Sequence, residues 1–202
     1  MKQLKVQNSA RGSLQISAPY RAKVERKQNT LLEGRANLKS EGNPAKQKEF
    51  PTLTWDEFQA PPDHGSRFYA HTYWKINYSY SVVIKGSKAC VNLNAKCLFE
   101  KDRAWIKCEH KSQELLEHEQ GHYYIGCLCA LIFKKRVKAA SFTKANYQEE
   151  IRRLFRETLQ EYLTLEKRYD EETNHFSKRD IQEKWDKDII TKINELRPYW
   201  WI

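Results

Sequence analysis

The chain lacks several features whose absence narrows what it can do. None of its five cysteines (90, 97, 108, 127 and 129) forms a C-x-x-C pair, and the number is odd. A complete disulfide framework is therefore not expected; reduced, buried thiols are. The first twenty residues, MKQLKVQNSARGSLQISAPY, have no apolar core of the kind a secretory leader carries. The apolar run at residues 123–133 is eleven residues long, short of the ~20 that cross a bilayer. No membrane span is expected. The expected location is the cytoplasm, with the periplasm or the exterior as the alternative if the N-terminus is misassigned.

Residues 1–49 are poor in large apolar side chains and rich in Lys, Gln, Asn, Ser and Gly. Such a segment cannot bury enough surface to fold alone, so a basic disordered tail able to make electrostatic contacts is expected. The net charge of +10 is uneven: residues 1–50 carry eleven Lys/Arg against four Asp/Glu, and residues 51–202 carry 25 against 22. The folded part is thus close to neutral. A specific nucleic-acid partner is not expected, because it would require the basic surface on the fold itself. At 202 residues, with six Trp and eleven Tyr to build a core, the chain suits one domain over residues 50–202 behind that tail.

What is present centres on His118-Glu119-Gln120-Gly121-His122, an H-E-x-x-H pentapeptide within residues 112–140. On a helix, residues four apart share a face with Cβ atoms about 6 Å apart, so both imidazoles can reach one zinc ion. Glu119 is rotated about 100° from His118, which lets its carboxylate meet a metal-activated water without being a ligand. Ser112 is placed to cap the helix, and Lys134, Lys135 and Arg136 fall toward its C-terminal end. The apolar run after the motif implies a buried helix. Two His and a Glu there are costly unless partnered, and one zinc per chain is the expected partner.

Around this helix the pattern predicts an α+β fold: a small antiparallel sheet packed on three helices. Leu53, Trp55 and Phe58 anchor the start of the domain. Apolar residues at even positions over 70–84 and at odd positions over 89–99 predict a hairpin turning at Lys85-Gly86-Ser87, with a short third strand at 105–108. Apolar residues at steps of three and four predict a second helix over 143–169. A third follows a break at YDEETNHFS and is capped by a box formed from Ser177 and Asp180.

A catalytic zinc needs a third protein ligand. Ile125 and Leu128 occupy the positions where a metzincin has Gly and His, which excludes that class. Glu150, Glu157 and Glu161 lie on the second helix, but solvated helix faces carry Glu in any case. His71 falls on the polar side of its strand, where an exposed side chain is expected, and His110 is a further His upstream. The break between the second and third helices offers His175 first, then Asp170, then Glu172, since loops turn side chains toward sites. Tyr169, or Tyr123, is the expected oxyanion donor.

LTWDEFQ from residue 53, AHTYWKINYSY, ELLEHEQGHYYIG and YDEETNHFSKRDIQEKW occur in that order. Together they resemble the bacterial domain-of-unknown-function family 922, over about residues 50–190. Members of that family are taken to be zinc proteases. The resemblance implies a zincin-like architecture, His118 and His122 as zinc ligands, and Glu119 as the catalytic acid/base. In two respects the chain departs from the family: Phe176 follows His175 where the family often has Gly, and the export signals common among relatives are not seen. The function expected is a zinc-dependent metallopeptidase acting on peptide or protein substrates. The alternative is a non-catalytic binding module with a structural or degenerate metal site.

Overall fold

The computed structural model of the chain describes residues 50–200. The expected tail, residues 1–49, and the last two residues lie outside the described residues. The fold is α+β, with two small antiparallel sheets and three long helices. In chain order the elements are β1 (Ala70–His71), β2 (Trp74–Lys85), β3 (Lys88–Phe99), β4 (Trp105–Ile106), α1 (Gln113–Ala139), β5 (Phe142–Thr143), α2 (Tyr147–Thr173) and α3 (Arg179–Glu195).

Strands β2 and β3 form the hairpin that alternation predicts, paired from Lys85↔Lys88 to Trp74↔Phe99. One face of the hairpin carries Trp74, Ile76, Tyr78, Val82, Leu93 and Ala95, all buried, and lies on α1. The long strand expected over 70–84 is split. Thr72 donates its hydroxyl to the backbone carbonyl of Glu119 at 3.2 Å, and Ala70–His71 pairs instead with Trp105–Ile106 in a separate two-stranded sheet. β5 extends the main sheet at Lys88–Ala89; a two-residue strand has no periodicity by which the sequence could announce it.

Helix α1 runs through the centre. Ser112 caps it as predicted, its hydroxyl accepting from Leu115 N at 3.1 Å. Leu115, Ile125, Leu128 and Phe133 are almost wholly buried, between the hairpin on one side and α2 and α3 on the other. Gly126 makes the approach to the sheet feasible, because a Cβ there would lie 2.6 Å from Trp74 Cδ2 and 2.8 Å from Cys97 Sγ.

Several boundaries differ from expectation: α2 begins at Tyr147, four residues after the expected start, because Phe142–Thr143 is drawn into the sheet. α2 continues to Thr173, four residues past the expected end, so Asp170 sits on the helix and not in a loop. The capping box does not form: α3 is preceded by Lys178, with no side-chain cap. Of the thiols, Cys127 and Cys129 are buried and Cys90 and Cys108 exposed, so burial of all five was too broad an expectation; none of the five is in a disulfide. Among the described residues no helix is long and apolar enough to cross a membrane.

Candidate metal centre

His118 and His122 lie four apart on one face of α1 and point toward α2. On α2, Glu166 and Asp170 are likewise four apart, and the pairing inverts the order: His118 meets Asp170 and His122 meets Glu166. The two helices therefore run antiparallel at the site. His118 is fully buried, Asp170 1 % exposed and Glu119 2 % exposed.

Three donor atoms converge. His118 Nε2 is 3.1 Å from Asp170 Oδ1, His122 Nε2 is 3.0 Å from the same oxygen, and the two Nε2 atoms are 3.2 Å apart. Tetrahedral ligands about 2.0–2.1 Å from a zinc ion stand roughly 3.3–3.4 Å from one another. The observed triangle is only slightly tighter. His175 joins from the turn after α2, with Nδ1 3.3 Å from Asp170 Oδ1, and its donor atom, with those of His118 and Asp170, falls in a group no more than 4.8 Å across.

The remaining ring nitrogens are held from behind. His118 Nδ1 lies 3.1 Å from Gln182 Oε1 on α3, and His122 Nδ1 lies 3.1 Å from Glu166 Oε1, which also accepts from Trp74 Nε1 at 2.8 Å. With both Nδ1 atoms donating outward, two imidazole lone pairs and a carboxylate oxygen face one another. That arrangement is repulsive unless protons or a cation lie between them. Electrostatics point the same way. Burial opposes an imidazolium at His122, yet Asp170 and Glu166 outweigh it and hold its pKa well above the ordinary value. Burial likewise opposes the charged form of Asp170, but the His122 imidazolium and the ring nitrogens around the carboxylate hold its pKa well below the carboxylate range. Asp170 Oδ2, Glu119 Oε2 and His175 Nδ1 are buried without a hydrogen-bond partner. A divalent cation fits this donor set.

The backbone that delivers His175 is unusual. Asn174, His175 and Phe176 have φ of 46°, 54° and 73°, three consecutive left-handed residues without a glycine, each of the kind that costs about 1–3 kcal/mol. Phe176, at the largest of these angles, stands where the resembled family often has Gly. The His175 ring is held edge-on by Phe68 at 5.6 Å.

The other sequence candidates are placed elsewhere. Glu172 accepts from Trp185 Nε1 at 2.9 Å and is not in the cluster. Tyr169 is not positioned as an oxyanion donor: its hydroxyl, fully buried, donates to the backbone carbonyl of His118 at 3.1 Å, and its ring stacks on His118 at 4.7 Å. Tyr123 packs against Phe99 in the main core. Glu150 and Glu157 pair with Arg153, and Glu161 with Arg136. His110 stacks on Tyr69, and His71, half-buried where exposure was expected, lies beside Trp105.

Sequence reasoning missed Glu166 and Gln182. Both were legible as polar residues on buried stripes. Leu159, Tyr162, Glu166, Tyr169 and Thr173 follow one another at steps of three and four, as do Gln182, Trp185, Ile189 and Ile193. A carboxylate or amide kept on such a stripe needs a buried partner.

Fold and cluster together define a class: an α+β domain carrying a His-His-Asp donor set between two antiparallel helices. The chain belongs to the family described as "Bacterial protein of unknown function (DUF922)", whose model matches residues 54–176. Neither a curated protein nor a solved structure matches it.

Proposed function

We propose that this chain is a zinc-dependent peptidase, zincin-like in its active-site helix, in which His118, His122 and Asp170 hold the metal and Glu119 is the general base. The observation that carries the reading is the triangle of Nε2, Nε2 and Oδ1 at 3.0–3.2 Å beside an unpartnered Glu119 carboxylate oxygen. Zinc bound there would supply Lewis acidity and lower the pKa of water toward 7.

The chain's own residues do the rest. Glu119 takes a proton from water as it attacks the scissile carbonyl, then returns that proton to the leaving amine. Its backbone is fixed by the Thr72 hydroxyl, so the carboxylate works from a rigid base. β2 has a neighbour on only one of its edges among the described residues, and its first residue, Trp74, reaches the site through Glu166. An extended peptide could pair with such an edge close to the site, which supports a peptide as substrate.

One observation favours the second reading, a structural metal site. His175 stands close enough to Asp170 to act as a fourth ligand and close the site. Glu119→Gln separates the two readings. For a peptidase, zinc content is unchanged and the hydrolysis of a denatured-protein substrate falls by about 10²–10⁴-fold. Hydrolysis at the wild-type rate in this variant would exclude the mechanism.

A further inference from the structure

Gln182 is the α3 side chain that hydrogen-bonds a histidine of the cluster, and all of its side-chain hydrogen-bonding atoms are committed. Its Oε1 lies 3.1 Å from His118 Nδ1. Its Nε2 donates to the Tyr169 hydroxyl at 2.5 Å and to Asp186 Oδ1 at 2.8 Å. The Tyr169 hydroxyl spends its own proton on the His118 carbonyl, so toward Gln182 it can only accept. Asp186, when ionised, can also only accept. The two acceptors consume both amide protons and fix the amide's orientation. Turned over, the amide would place its carbonyl against a carboxylate and an N–H against a ring N–H.

We infer that Gln182, clamped by Asp186 and Tyr169, is a positioning residue that sets the tautomer of His118. With Oε1 held against Nδ1 by an amide that cannot turn over, the proton of the neutral imidazole resides on Nδ1 and the Nε2 lone pair is directed at Asp170 and His122. The device differs from that on His122, where a carboxylate, Glu166, does the same work. An amide at His118 avoids adding another buried carboxylate to a cluster that already holds Glu119, Glu166 and Asp170, all 1–2 % exposed. The tautomer claim concerns the metal-free chain; its consequence for affinity rests on the zinc reading above.

The test combines ¹⁵N NMR of the imidazoles in metal-free protein with zinc titration against a competing chelator. In wild-type protein His118 is expected as the Nδ1–H tautomer. In Gln182→Met, similar in volume but with no acceptor, the proton is expected to move in part to Nε2, where Asp170 can accept it. Zinc affinity should then fall by about 10–100-fold, with the helical circular-dichroism signal retained. The exchange Q182E/D186N restores an acceptor at Nδ1 with a donor behind it and the same number of carboxylates; it should bring back the Nδ1–H tautomer and affinity to within a few-fold. Should Gln182→Met lose its fold, the double exchange carries the test alone, and failure to hold the Nδ1–H tautomer there overturns the inference. A Gln182→Met protein with an unchanged tautomer also overturns it. If wild-type protein shows the Nδ1–H tautomer but binds no zinc, the positioning role stands and the zinc reading fails.

Discussion

Replacing Gly121 with Ala is expected to destabilise the protein by roughly 2 kcal/mol, although the same change on an exposed helix stabilises by up to about 1 kcal/mol. The reason is Tyr169. A Cβ at position 121 would overlap the Tyr169 hydroxyl and come within 2.7 Å of Cζ and 3.2 Å of Cε1. The tyrosine cannot retreat, because Trp185 stands at its edge and Gln182 and the His118 carbonyl hold its hydroxyl. The glycine of HEQGH is thus the slot into which α2 docks its ring, and the docking places Asp170, the next residue, between the two histidines. A double-mutant cycle in denaturant checks the cause. In a Tyr169→Ala background Gly121→Ala should cost nothing or stabilise; an undiminished penalty there would place the clash elsewhere.

Asp170→Ala is expected to lower zinc affinity by about a hundredfold or more, since it removes one of three converging donors from a site whose binding energy is several kcal/mol per ligand. It should also change the pH dependence. On the zinc reading, a metal entering the wild-type site would have to displace the proton that Asp170 and Glu166 hold on His122 at unusually high pH. Affinity should therefore fall steadily as pH drops from the raised pKa of His122, by about tenfold per unit for one proton released. Without Asp170 the larger of the two anionic influences is gone, and the fall should begin at lower pH.

The metal-free protein carries the complementary signature. The raised pKa of His122 contributes stability that is present below the unfolded imidazole value and lost as pH rises through the folded one. The lowered pKa of Asp170 contributes stability that is present above the unfolded carboxylate value and lost as pH falls through the folded one. The metal-free chain is thus held best between the two ranges, and in Asp170→Ala that dependence should flatten when stability is measured against pH.

How far the sequence led depended on whether periodicity ran on or stopped. The hairpin and the burial of α1 were legible because alternation and apolar runs extend over ten residues or more. The end of α2 was not. Its apolar stripe stops at Tyr169, and the helix is carried on to Thr173 by polar groups. There the Thr173 hydroxyl bonds the Tyr169 carbonyl at 2.7 Å, and Asp170 is paid for by the histidines. For the same reason Asp170, expected in a loop and ranked behind His175, lies on the helix between His118 and His122. A carboxylate that closes a buried stripe reads as a helix break unless its partner on another element is known. His118, Glu119 and His122 could be named from a local spacing; Glu166 and Gln182 stood out in the sequence only as polar residues on buried stripes, and their partners became visible when α2 and α3 were brought against α1.

The measurement that tests the central claim most directly is the metal content of protein purified without chelator, in the wild type and in His118→Ala and Asp170→Ala. The account predicts close to one zinc per chain in the wild type and about a tenth of that or less in either variant, with all three remaining folded. A wild-type chain that holds no zinc and takes up none when it is added would contradict it, and would leave the cluster as a proton-bridged His-Asp-His core.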